Sequence, residues 1–99
     1  MVKTLRMATG DRALKAIGER LRLTREAMGL TQAEFARQAR VSPSAYNQYE
    51  KGRIRPAIDQ AVRMREAHKI TLDWIYCGDN SGLRVQLADA IKALRQTRS

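Results

Sequence analysis

Signals that begin and end helices recur at short intervals along this chain, and they constrain its fold more than any other sequence feature. Thr31 is followed by Glu34 three residues later, which is the spacing of a capping box at the start of a helix. Ser42 stands directly before Pro43, so a capping residue precedes the residue favoured at the first helical position. No segment alternates apolar and polar residues for long enough to indicate a strand. The sequence therefore predicts an all-α fold of short helices.

Glycines and apolar spacing divide the chain into six expected helices. Gly29, Gly52 and Gly78 each follow a stretch with helical apolar spacing, which is the common position of a C-terminal glycine. Asp11 opens the first stretch, and Pro56 starts the fourth helix. The remaining helices are expected over residues 32–39, 43–50, 72–76 and about 82–96.

The charge of the chain favours a polyanionic partner. Lys and Arg number 19 against 10 Asp and Glu, which gives a net charge of +9. Such an excess favours nucleic acid and, less often, an anionic membrane surface, and the alternative is a basic surface that is merely solvated. Residues 56–82 carry three basic and four acidic side chains, so we expect this segment to be structural rather than to contact phosphates.

Other classes of function find no support in the sequence. We expect about one domain from 99 residues, without a separate sensor or catalytic domain. No stretch approaches the roughly 20 apolar residues of a membrane span, and the first residues lack the apolar region of a secretory signal. His68 and Cys77 form no recognised metal-ligand spacing, and one cysteine builds no disulfide framework. We therefore expect a cytoplasmic protein with no enzyme activity, no metal, no cofactor and no membrane partner.

Several short motifs occur together in a characteristic order. They are TQAEFA at residues 31–36, VS at 41–42, YEKG at 49–52, RP at 55–56 and LDWI at 72–75. With these motifs the chain resembles the lambda-repressor-like, Cro/C1-type helix-turn-helix regulators over about residues 13–79. The resemblance implies a five-helix lambda-repressor-like DNA-binding domain, here with an extra C-terminal helix.

The second helix of the motif is expected to read bases. In helix-turn-helix proteins this helix, called the recognition helix, enters the major groove, and residues near its N-terminus reach base edges. Those residues must be exposed and short or polar, and four of them meet this condition: Pro43, Ser44, Asn47 and Gln48. Asn47 and Gln48 have amide groups that pair with adenine, and Ser44 can donate or accept. The alternative is that these are solvated polar positions of an amphipathic helix.

Phosphate contacts are expected around the recognition helix. The resemblance implies that Gln32, at the start of the preceding helix, contacts a phosphate and braces the recognition helix; the alternative is an ordinary polar residue at a helix start. Four basic residues flank the recognition helix in sequence and are assigned to phosphate contacts, with solvated surface as the alternative for each: Arg37, Lys51, Arg53 and Arg55.

The resemblance also implies three features of the packing. Arg25 and Glu50 match positions that pair in this family, so we expect a partly buried ion pair between the first helix and the end of the recognition helix. The turn of the motif usually carries glycine where this chain has Arg40, so Arg40 is expected to need a left-handed backbone. The first helix usually has leucine at position 24, where this chain has Thr24.

The last expected helix carries an apolar stripe that has two interpretations. Leu83, Leu87, Ile91 and Leu94 fall on one face. They either extend the core of their own domain or pair with a second subunit. We favour the second interpretation, a homodimer, because such regulators read palindromic sites as dimers.

These features predict a prokaryotic or phage transcriptional regulator, a repressor, that binds a specific double-stranded DNA sequence. Residues 1–10 form a basic N-terminal arm that either reaches DNA or is disordered, residues 11–79 the DNA-binding domain and residues 80–99 a dimerisation helix. One alternative is the antitoxin of a toxin–antitoxin pair, whose last helix masks a partner protein. Another is a nucleic-acid binder that uses charge alone.

Overall fold

Helices make up all the regular secondary structure of the described residues, which are residue 10 and residues 12–98. In this computed structural model they are α1 (Leu14–Ala27), α2 (Gln32–Gln38), α3 (Pro43–Glu50), α4 (Ile58–His68), α5 (Leu72–Cys77) and α6 (Val85–Arg98). The predicted all-α fold with an extra C-terminal helix is confirmed. The first and last helices begin a few residues later than predicted. The N-terminal arm predicted for residues 1–10 lies outside the described residues, apart from Gly10.

Side-chain caps fix the starts of α2 and α3. The Thr31 hydroxyl accepts the backbone N–H of Glu34 at 3.1 Å, and the Glu34 carboxylate accepts the backbone N–H of Thr31 at 2.8 Å. The Ser42 hydroxyl caps α3 by accepting the backbone N–H of Ala45 at 3.0 Å. Arg40 has the expected left-handed backbone, with φ of 59°. The guanidinium of Arg63 on α4 donates to the Arg40 carbonyl at 3.1 Å, which ties the turn to the rest of the domain.

The core is centred on aromatic side chains of α2, α3 and α5. Phe35, Tyr46 and Trp74 are almost completely buried. Thr24, which stands where the resemblance implies leucine, is buried too, and its hydroxyl accepts the indole N–H of Trp74 at 2.9 Å. The same hydroxyl donates to the carbonyl of Arg20 at 2.6 Å. The threonine therefore supplies the hydrogen-bond partner that a buried indole requires.

The apolar stripe that runs from Leu83 into α6 packs on the core of its own chain. Leu83, Leu87 and Ile91 are 8%, 6% and 3% exposed, and the half-buried Leu94 packs against the same cluster. α6 lies against α1. The favoured interpretation, a dimer interface built from these four side chains, is therefore corrected in favour of the other. Apolar periodicity shows that a helix has a face to cover, but it does not identify the surface that covers it.

Gly18 allows α1 to approach the end of α3 at backbone distance. A Cβ atom added at Gly18 would lie 2.5 Å from the carbonyl oxygen of Glu50 and 2.6 Å from that of Tyr49. Both obstacles are backbone atoms, so a change of rotamer cannot relieve the overlap. A larger residue at this position has to move α3 away from α1.

We expect Gly18→Ala to destabilise the protein, although alanine is the better helix former. Helix propensity favours alanine by about 1 kcal/mol. Overpacking costs about 1–3 kcal/mol, and the upper part of this range applies because the overlap is with backbone atoms, so we expect a net loss of about 1–2 kcal/mol. Thermal unfolding measures it, with Gly10→Ala as the control, since a Cβ at Gly10 meets nothing within 4 Å. A melting temperature that stays equal or rises for Gly18→Ala would contradict this close packing.

Candidate nucleic-acid interface

One side of α3 is anchored in the core. Tyr46 and Tyr49 are buried on this side, and the Tyr46 hydroxyl donates to the carbonyl oxygen of Leu21 on α1 at 3.3 Å. Burial, assisted by the nearby carboxylate of Glu50, raises the pKa of Tyr46. The hydroxyl therefore stays neutral and continues to donate, which holds α3 against α1.

The other side of α3 is open and carries the four residues predicted to read bases. Pro43 and Ser44 in the first turn are exposed, whereas Asn47 and Gln48 are half-buried. Ser44 and Gln48 are four residues apart, so they share one face of the helix. The helix therefore presents short and polar groups outward from a fixed backbone.

Arg25 and Glu50 are brought together between α1 and the last residue of α3. The Arg25 guanidinium donates through Nε to Glu50 Oε2 at 2.7 Å and through Nη2 to Glu50 Oε1 at 3.1 Å. Its Nη1 donates to the carbonyl of Leu30 at 3.0 Å. The two side chains are 14% and 4% exposed, and the hydrogen bonds to Glu50 raise the pKa of Arg25. This geometry is the bidentate form of an arginine–carboxylate pair.

Gln32 extends this ion pair to the open side of α3. Its amide Nε2 donates to Glu50 Oε1 at 2.9 Å, and its Oε1 accepts from Asn47 Nδ2 at 2.9 Å. One residue predicted to contact a phosphate and one predicted to read a base are thus bonded to each other. The bracing contact that the resemblance implied for Gln32 is present, and it is directed at Asn47.

The basic residues predicted to contact phosphates are exposed. Arg37 lies on α2, and Lys51, Arg53 and Arg55 lie in the segment directly after α3. The Arg55 guanidinium donates to the backbone carbonyl of Arg12 at 2.6 Å, which connects this segment to the residues before α1.

His68 makes a buried contact between α4 and α2 to which the sequence analysis gave no role. Its ring stacks on Phe35 with centroids 3.8 Å apart, and its Nε2 lies 2.9 Å from the Phe35 carbonyl oxygen. Burial lowers the pKa of His68, and the hydrogen bond to Phe35 partly opposes this shift. A single histidine has no spacing that could reveal such a partner 33 residues away.

The capped turn, the anchored α3 and its open polar face define a helix-turn-helix domain. A family model described as helix-turn-helix matches residues 21–75, which is more than half of the chain. The chain belongs to this family, the Cro/C1-type helix-turn-helix proteins, and it is accordingly a DNA-binding regulator whose domain type is not enzymatic. Searches of curated proteins and of solved structures gave no match.

The described residues contain neither a membrane span nor a metal cluster. None of their helices is both long and apolar enough to cross a bilayer. In the same part of the chain, no three side chains of His, Cys, Asp or Glu come together as metal ligands. Cys77 is exposed, and His68 is occupied by its contact with Phe35.

Breaking the Arg25–Glu50 pair from one side should be costly. We expect Arg25→Met to lower the free energy of unfolding by about 3 kcal/mol, because it leaves a buried carboxylate without its cation. The double variant Arg25→Met/Glu50→Leu should lose less, since neither charge remains buried. Urea unfolding of the wild type, both single variants and the double variant gives the coupling energy. Arg22→Met is the control, because the pair of Arg22 with Glu26 lies nearer the surface. Equal losses for Arg25→Met and Arg22→Met would contradict this expectation.

The stability of the protein should fall as the pH is lowered from 7 to 5. The ordinary pKa of histidine is about 6.5, and that of His68 is lower in the folded state. As the pH falls, the unfolded chain therefore binds the proton first. The contribution of His68 to stability is fully present above a pH of about 6.5 and is lost as the pH falls through the pKa of the folded state. His68 is the single histidine of the chain, which makes the assignment direct. We expect His68→Gln to flatten the dependence in urea unfolding; equal slopes for both proteins would disprove it.

Proposed function

We propose that this protein is a transcriptional regulator that recognises a specific double-stranded DNA sequence by inserting α3 into the major groove. The observation that carries the proposal is the two-sided character of α3. Its tyrosines are buried, its last residue is held by Arg25, and its open side presents Pro43, Ser44 and Gln48. A helix whose buried side is fixed by the core and whose exposed side is polar satisfies the requirements for reading base edges.

We assign base contacts to Pro43, Ser44, Asn47 and Gln48. Ser44 and Gln48 share a face at helical spacing, and the Gln48 amide can pair with two groups of one base. Asn47 contacts DNA while its amide nitrogen is held by Gln32. This support fixes the orientation of Asn47 before binding, which lowers the cost of ordering it in a complex.

We assign phosphate contacts to the basic residues around α3. Arg37, Lys51, Arg53 and Arg55 are exposed cations, and such contacts position a protein on the duplex without reading its sequence. Gln32 has a second amide hydrogen besides the one given to Glu50, and this hydrogen is the one available to a phosphate.

Repression is the regulatory action that we propose. A protein that occupies its DNA site prevents other proteins from binding there and needs no contact with a further protein to do so. We also propose a homodimer on DNA, with half-sites about one helical turn apart, through a surface other than the buried stripe of α6. The antitoxin alternative relied on that stripe as the site for a partner protein. Because the stripe is buried in the core of its own chain, it is not free to hold a partner protein, and the antitoxin alternative loses this support.

Selection of bound DNA from a random pool is the experiment that tests this function. We expect the wild-type protein to enrich one motif, and a palindromic motif indicates the proposed dimer. Enrichment of no motif, with equal affinity for unrelated sequences, would refute sequence-specific regulation and favour binding by charge alone.

Two variants separate base reading from phosphate contact. Gln48→Ala should weaken binding to the selected site by about 1–3 kcal/mol and remove the preference at one base position. Arg53→Gln should weaken all sequences alike and reduce the slope of log K against log salt by about one unit. Gln86→Ala, at an exposed position of α6, is the matched control for the amide. If Gln48→Ala weakens selected and random DNA equally, Gln48 does not read a base.

A further inference from the structure

The segment after α3 packs against the beginning of α1, so the exposed basic residues of the two segments are neighbours on the surface. The Arg55 guanidinium donates to the backbone carbonyl of Arg12 at 2.6 Å. A Cβ atom added at Gly52 would lie 3.0 Å from Cα of Lys15, so the first turn of α1 touches the chain at Gly52. We call this surface the basic platform and define it by five exposed residues: Arg12, Lys15, Lys51, Arg53 and Arg55.

The cations of the basic platform are not neutralised within the described part of the chain. None of the five is in an ion pair there. The carboxylates of Glu19 and Glu50 lie nearby in sequence, but Glu19 pairs with Arg22 and Glu50 pairs with Arg25. Five like charges on one exposed surface repel one another, and an external polyanion relieves this repulsion.

We propose that the basic platform binds the DNA backbone flanking the base pairs read by α3, with Arg12 and Lys15 as additional phosphate ligands. This inference rests on the proposed function, because α3 runs directly into residues 51–55. A phosphate held by Arg53 or Arg55 therefore lies next to the base pairs that α3 contacts. Arg12 and Lys15 touch the same segment from the start of α1 and extend the cationic surface along the duplex.

The packing of the platform assigns it to backbone contact rather than to base reading. The Arg55 guanidinium is hydrogen-bonded to the carbonyl of Arg12, and Lys15 lies on α1, which is anchored in the core through Ile17. These contacts therefore fix the cations at the edge of the domain, beside α3. Charges placed in this way add affinity that depends on salt but not on sequence.

The test compares DNA binding by the wild type and by Arg12→Gln/Lys15→Gln. The bond from Arg55 goes to the backbone of Arg12, so the side-chain changes leave it in place. Two duplexes are used: one ends at the selected motif, and one has unrelated flanking base pairs on both sides. We expect the wild type to gain affinity from the flanks and the double variant to gain much less.

Salt dependence gives the second measurement. The slope of log K against log salt on the longer duplex should fall by about two units in the double variant. Between about 50 and 200 mM salt, the ratio of wild-type to variant affinity should therefore change about tenfold. The base preference from random-pool selection should be the same for both proteins, because neither residue contacts a base.

The control is Arg65→Gln/Lys92→Gln, which removes two charges at exposed positions of α4 and α6. Its salt slope should stay close to that of the wild type. If Arg12→Gln/Lys15→Gln behaves like this control while the wild type selects a motif, the platform inference is overturned and the proposed function stands. If the wild type selects no motif, the proposed function itself fails. Thermal unfolding of each variant shows that all are folded in the assay.

Discussion

The position of the recognition helix depends on the contact between α1 and the last turn of α3. At Gly18 the two helices meet without a side chain between them, and the carbonyl oxygens of Tyr49 and Glu50 fill the space that a Cβ would occupy. The same residue, Glu50, has its carboxylate held by Arg25 from α1. Both the backbone and the side chain of the last residue of α3 are therefore fixed by one neighbouring helix. The proposed base contacts depend on this arrangement, because reading bases tolerates little displacement of the helix that carries the contacting side chains.

The polar groups between α1, α2 and α3 serve geometry more than stability. A buried ion pair contributes little net free energy, because its attraction is offset by the loss of hydration of both charges. Its directionality is the useful property. The bidentate contact of Arg25 with Glu50 allows few alternative positions of α3, and the added bond from Gln32 restricts them further. Apolar packing alone, as between Phe35 and Tyr46, permits sliding that these bonds do not.

The sequence predicts local structure well and long-range partners poorly, for physical reasons. Helix starts depend on side chains within about three residues, so Thr31 and Ser42 could be identified directly. Which surface covers the α6 stripe depends on the surface that is nearest in space, and apolar periodicity along the sequence does not identify that surface. The bond between Thr24 and Trp74 spans 50 residues and leaves no local signal. Gly18 is an unfavourable residue inside a helical pattern, but only the structure shows that the backbone of α3 occupies the space beside it.

A carboxylate can only accept hydrogen bonds, and at Glu50 this limitation orients two amide groups beyond it. Because Glu50 accepts from the nitrogen of Gln32, the oxygen of Gln32 faces Asn47, which in turn presents its own nitrogen. The carbonyl oxygen of Asn47 and its second amide hydrogen are both left for an external partner. In the base contact proposed for Asn47, this orientation presents a carbonyl oxygen together with one N–H, and in the major groove adenine has the matching donor and acceptor. The orientation of a side chain proposed to contact DNA is thus set, through Gln32, by the buried carboxylate of Glu50.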